Sequence, residues 1–122
     1  MKMKHKYLHE LFPDGDLPFP YGEDDFHDFD EREALDMDYS LILWLYEMFR
    51  YFQDEVSKIL DRTERKFDID GEILNHPQCL NRMIENCKII IKSDDFDEKE
   101  QREAAKDDLF KVLSKVIWTM WM

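Results

Sequence analysis

Between Asp14 and Asp38 the chain carries eleven carboxylates against one cation, Arg32. Phe19, Tyr21, Phe26 and Phe29 interrupt the acids, and Pro18, Pro20 and Gly22 punctuate them. A segment of this composition cannot bury enough apolar surface to offset the entropy of ordering its backbone. It is expected either to stay solvated or to lie across a partner surface held by its aromatic rings. On this reading residues 1–35 form an extended acidic N-terminal arm, and the fold has to be sought in residues 36–122.

That remainder is apolar enough to fold. The whole chain of 122 residues is 43% hydrophobic and 14% aromatic, which suits one domain with a real core and is too short for two. The net charge of −12 is unevenly placed: residues 14–38 contribute −10 and residues 93–108 contribute −5, while residues 39–66 balance. Nucleic acid and anionic membrane are polyanions and would repel such a chain, so direct binding to either is excluded as an expectation. The partners that fit such a charge are basic or metallic.

Three long helices are expected. The first starts near Asp36 or Asp38, whose carboxylates suit a helix N-terminus, and runs to about Arg65. Leu41, Leu45, Met48, Phe52, Val56 and Ile59 mark its apolar face, widened by Ile42, Phe49 and Leu60. A β-hairpin or tight turn is expected over 66–74, where Asp70-Gly71 is a two-residue turn signal. Asn75, Pro77 and Gln78 then read as a capping box opening a second helix, with Leu80, Met83, Ile84, Cys87, Ile90 and Ile91 as its stripe. Asp97 with Glu100 is the expected start of a third helix that buries Ala105, Leu109, Val112, Leu113, Val116, Ile117 and Met120. The fold class is therefore all-α: an antiparallel three-helix bundle with the first long helix as its spine, a short hairpin or turn near Gly71, and the acidic arm.

The residues that could carry chemistry have plainer readings. Cys79 and Cys87 share one helix, about 12 Å apart at 1.5 Å per residue, so they cannot pair with each other and are expected as free thiols, Cys87 in the core. Asp68-Ile69-Asp70-Gly71-Glu72 resembles the middle of a calcium loop, but in that register Lys66 and Pro77 occupy the two end positions where carboxylates are needed. His27 with Asp28, Asp30 and Glu31 offers metal-binding atoms without a rigid frame to hold them. None of the Ser and Thr residues sits in a strained Gly-rich turn, and three glycines leave no phosphate-cradling loop. The expectation is a protein that is not an enzyme and takes no metal or cofactor. No apolar h-region follows Met1–Lys4 and no apolar run approaches membrane-spanning length, so a cytoplasmic location is expected.

Asp28 to Leu45, reading DFDEREALDMDYSLILWL, resembles a loosely related group of small uncharacterised proteins encoded by bacteriophages and integrated phage elements. The matching positions are Asp30, Arg32, Glu33, Asp36 and Asp38, followed by an aromatic-rich amphipathic helix and a later helix like Cys79–Ile91. The resemblance covers about a third of the chain. It implies a phage origin and a role inside an infected bacterium, and it transfers no catalytic residue. In size and charge the chain is also similar, as a class, to anti-CRISPR proteins and other compact acidic inhibitors of host defence.

Together these readings point to a DNA mimic. Carboxylates spaced along a surface can imitate the phosphate row of a duplex and occupy the groove of a basic nucleic-acid-handling protein, a CRISPR effector nuclease among the candidates. Asp24, Asp25, Asp28, Asp30 and Glu31, with Asp94, Asp95 and Asp97 as a second patch, would supply the charge; Phe26 and Phe29 would supply anchors. The alternative is a phage structural or assembly accessory protein that self-associates, as a homodimer or through another apolar interface, by way of Trp118, Trp121 and the rings of Trp44, Tyr46 and Tyr51.

Overall fold

The computed structural model describes residues 6–13, 37–56, 63–93 and 97–117. They form α1 (Lys6–Leu11), α2 (Met37–Tyr51), a π-helical turn (Phe52–Val56), β1 (Lys66–Ile69), β2 (Glu72–Asn75), α3 (His76–Lys92) and α4 (Lys99–Val116). The described residues are thus mostly helical, with one small antiparallel sheet.

The hairpin forms where its local chemistry places it. Lys66 pairs with Asn75 and Ile69 with Glu72, leaving Asp70-Gly71 as the two-residue turn. Both turn residues are left-handed, Asp70 at φ 54° and Gly71 at φ 91°, the geometry whose twist matches two antiparallel strands. The Asp68 carboxylate accepts from the Gly71 amide at 2.6 Å, and the Lys111 ammonium of α4 lies 2.6 Å from the Asp70 carboxylate. The acids of the calcium-like sequence are therefore engaged in holding the turn.

β2 runs straight into α3 through a reciprocal cap. The Gln78 amide donates to the Asn75 side chain at 2.9 Å, and the Asn75 amide donates to the Gln78 side chain at 2.8 Å, so two amides that the helix cannot satisfy internally find partners. Pro77 occupies the first turn, where its missing N–H is not needed. The His76 amide donates to the Arg65 carbonyl at 3.1 Å, which carries the strand ladder one step further and sets the helix against the hairpin.

α3 is the centre of the packing. It lies against α2 on one side and α4 on the other and touches both strands. Tyr39, near the start of α2, donates to the carbonyl of Ile91 near the end of α3, while Phe52 stacks near His76 at the α3 start, so α2 and α3 are antiparallel. Arg82 and Asn86 of α3 meet Asp108 of α4, across a connection of six residues, and that pair is antiparallel too. Cys79, Leu80, Met83, Ile84, Cys87, Ile90 and Ile91 all face this core, with Leu109, Val112 and Val116 of α4 opposite.

Several expectations need correction. The spine is α3 and not the first long helix, because α3 packs against α2, α4 and both strands of the hairpin, whereas α2 packs against α1 and α3 and leaves one apolar flank exposed. The first long helix does not reach Arg65: it loosens into a π turn at Phe52–Val56, and Thr63-Glu64 form a turn that sets up β1. Leu41 and Met48, placed on its buried face, are exposed, while Leu43 and Tyr46 are fully buried. The last helix begins at Lys99 behind Glu98, so Asp97 does not cap it, and Ile117 at its end is exposed. Finally, residues 1–35 are not wholly an extended arm. Residues 6–11 form α1, which packs on α2 and puts Tyr7 and Leu8 into the core.

Candidate functional site

A six-residue helix cannot persist in water by itself, since nucleation consumes most of what its few hydrogen bonds return. α1 persists because α2 supplies what it lacks. The Glu47 carboxylate accepts from the Tyr7 amide at 3.1 Å and from the Leu8 amide at 3.0 Å, capping the free start of α1 from a different helix. Burial raises the pKa of Glu47, and these two amides oppose that rise. Burying Tyr7 and Leu8 adds about 1.5–3 kcal/mol for each large side chain. Arg50 completes the clasp: its guanidinium lies 4.8 Å from the centre of the Tyr7 ring, donates to the Tyr46 hydroxyl at 2.8 Å and pairs with Glu10 at 3.2 Å. The Tyr7 hydroxyl is pushed up to about 12, by burial first and by the Asp54 carboxylate it faces.

The far end of α1 is fixed as well. Lys92, the last residue of α3, donates to the Leu11 carbonyl at 2.9 Å and sits 4.4 Å from the centre of the Phe12 ring. At the same pole Tyr39 reaches Ile91, and the Arg102 guanidinium of α4 lies 5.9 Å from the Tyr39 ring. One end of the molecule therefore gathers the end of α1, the start of α2, the end of α3 and the start of α4.

This convergence bears directly on the acids. The chain leaves the described body at Pro13 and re-enters it at Met37, and both points belong to this pole. Between them lie ten carboxylates and one arginine, including Asp24, Asp25, Asp28, Asp30 and Glu31 with Phe26 and Phe29. The α3–α4 connection, which contains Asp94 and Asp95, starts and ends at the same pole, and exposed Asp97 stands there. Of the expected site residues Asp97 is the one inside the described residues; Asp24, Asp25, Phe26, Asp28, Phe29, Asp30, Glu31, Asp94 and Asp95 lie outside them, as do Trp118 and Trp121. The topology nevertheless brings the attachment points of both acidic blocks to one place, although they are about 60 residues apart in sequence.

Neither the family models, the curated proteins nor the solved structures contain a match to this chain.

The rest of the described surface is nearly balanced. It holds sixteen carboxylates against twelve Lys and Arg, whereas the remaining residues hold thirteen against five. Much of that balance is spent in local pairs such as Lys106 with Glu103 at 3.1 Å and Lys88 with Glu85 at 3.2 Å. The strongest pair is between helices: Arg82 grips Asp108 with two donors at 2.6 and 2.8 Å, Asn86 donates to the same carboxylate at 2.7 Å, and the Arg82 hydrogen bond holds Asp108 below the ordinary carboxylate range. α4 therefore presents interleaved charges of both signs and not a phosphate-like row.

Cys79 and Cys87 are both free and buried in α3. Burial pushes the Cys87 thiol up to about 12 and raises Cys79 as well, which makes both poor nucleophiles. Among the described residues no three His, Cys, Asp or Glu side chains are placed to hold a metal ion, and no helix is long and apolar enough to cross a membrane.

The sequence reading missed two features. One is α1, whose helical state depends on a carboxylate 39 and 40 residues away. The other is the solvent face of α2. From Tyr39 to Tyr51 the exposed side chains are Leu41, Trp44, Met48 and Tyr51, each about two-fifths exposed and none of them charged. The sequence did show that a helix with rings on every side could not be buried by two neighbours.

Proposed function

We propose that this is a phage-encoded, non-catalytic inhibitor that binds a basic nucleic-acid-handling protein in the cytoplasm of the bacterial host, in the manner of an acidic DNA mimic of the anti-CRISPR type. The observation that carries this reading is the convergence of attachment points at one pole. On this reading the acidic blocks joined to the body at that end concentrate negative potential there, while the described body stays close to neutral. That arrangement favours a single directed encounter with a positive groove over general repulsion from other polyanions. The body behind it is taken as an antiparallel three-helix arrangement around α3, which holds the pole rigid.

The test is capture from bacterial lysate by the tagged full chain, at low and high salt, beside a variant with Asp24, Asp25, Asp28 and Asp30 all changed to Asn. The expected result is a basic nuclease or other nucleic-acid-binding protein retained by wild type at low salt, weakened by the Asn changes and released at high salt. Retention indifferent to both would remove the reading.

The second reading, an assembly accessory protein that self-associates through its aromatic surface, is favoured by the apolar face of α2. It separates from the first on salt, because an apolar interface holds or tightens as ionic strength rises.

A further inference from the structure

Both ends of α1 are held by side chains from other helices. Glu47 of α2 accepts from the Tyr7 and Leu8 amides at 3.1 and 3.0 Å, and Lys92 of α3 donates to the Leu11 carbonyl at 2.9 Å. Between them Arg50 lies over the Tyr7 ring and pairs with Glu10 at 3.2 Å. Six residues do not keep a helix in water without such ties. Docking and helix formation are therefore one event, and losing the ties at either end releases the whole element.

The body does not depend on α1 in return. α1 packs on α2, whereas α3 packs on α2, α4 and both strands. Taking α1 away uncovers a flank of α2 and leaves the α2–α3, α3–α4 and hairpin contacts in place, the grip of Arg82 on Asp108 included. The docked form also carries costs of its own. The clasp keeps water from the Glu47 carboxylate, whose pKa rises with burial, and it holds the Arg50 Nε buried with no acceptor. Fixing Pro13 and Met37 at one pole closes the chain between them into a loop, which costs entropy. Burial of Tyr7 and Leu8 opposes all three, so the balance between docked and released forms is set at this one element.

We infer that α1 is a release latch: it undocks and unfolds as one unit while α2, α3, α4 and the hairpin stay folded, and residues 14–36 pass from being held at both ends to being held at Met37 alone. Its use rests on the proposed function, since it assigns the regulation of the same acidic segment. A target that grips the one-ended segment more tightly holds the latch open by that difference in affinity.

The test is residue-level amide hydrogen exchange of the full chain, followed by NMR across a urea series. In wild type the Tyr7, Leu8 and Phe12 amides are expected to be protected and to exchange at least about tenfold faster than the slowest amides of Met83–Cys87, with a shallower dependence on urea. Asp108→Asn is the deciding variant. Docked and released forms share the Asp108 contact, so it is expected to speed the α3 amides about tenfold and leave those of α1 unchanged. Two further variants ask whether α1 moves as a unit. Glu47→Ala is read at the Phe12 amide, which donates to the Leu8 carbonyl at 3.2 Å and not to Glu47; Lys92→Ala is read at Tyr7 and Leu8. Each is expected to speed exchange about tenfold at the end it does not touch. If Asp108→Asn speeds α1 and α3 alike, α1 belongs to the global unit and the latch is overturned. An effect of Glu47→Ala or Lys92→Ala confined to its own end is fraying and overturns it too, as does an α1 without protection in wild type. Exchange needs no target, so the two claims fail separately. Lysate capture indifferent to salt and to the Asn changes removes the proposed function and leaves the latch as measured; a failed latch leaves the capture standing.

Discussion

Single residues do most of the unusual work, and Glu47 is the clearest case. Its carboxylate substitutes for the cap that α1 does not carry in its own sequence. Glu47→Ala leaves the Tyr7 and Leu8 amides without acceptors and is expected to cost about 2 kcal/mol in urea unfolding. Glu47→Gln keeps an oxygen at the same place and is expected to stay within about 1 kcal/mol of wild type at neutral pH. Burial raises the folded pKa of Glu47, so the stability linked to its proton is present below the unfolded pKa and lost as pH rises through the folded one. Wild type should therefore gain on Glu47→Gln as the solution is acidified. Asp108 titrates in the opposite sense. Arg82 depresses its pKa, so its contribution is present above the unfolded value and lost as pH falls through the folded one. Asp108→Asn is expected to cost about 1–2 kcal/mol at neutral pH, a deficit that closes in acid. Gly71→Ala tests the turn: no atom lies within 4 Å of an added Cβ, so the expected loss of about 1 kcal/mol in thermal unfolding is due to the left-handed backbone alone.

The elements differ in how plainly the sequence announces them, and the difference is physical. The hairpin and the start of α3 are specified by contacts three residues apart, so Asp70-Gly71 and Asn75–Gln78 could be read directly. The stripe of α3 was legible because polar residues bound it on both sides. α2 defeated the same method: with apolar side chains all round, periodicity cannot say which arc is buried, and Leu41 and Met48 were assigned to the wrong side. That choice was made by α1, which covers one flank of α2, and α1 was itself illegible because its cap comes from α2. The interior placement of α3 carries a prediction about its thiols. Cys87, at about 12, and Cys79 should resist iodoacetamide in the native protein and react only at the rate at which the core opens, as read by mass spectrometry across a urea series.

At the scale of the whole molecule the charge becomes informative. Composition alone announced an acidic protein, yet it could not show that the described body holds sixteen carboxylates against twelve cations and leaves most of the excess to segments that depart from one pole. The candidate site was half legible for that reason. The acids were visible as residues, and their common point of attachment required the antiparallel path of α2, α3 and α4. Changing Asp24, Asp25, Asp28 and Asp30 to Asn is accordingly expected to leave thermal stability within about 0.5 kcal/mol of wild type while altering target capture, as the charge role proposed for them requires.

Leu11 is tied to Lys92 and Tyr39 to Ile91, so the last two residues of α3 hold chain positions on either side of residues 14–36. A hydrogen bond is indifferent to how many residues separate its partners in sequence. What the end of α3 fixes is therefore the distance between the end of α1 and the start of α2, whatever the length of chain between them.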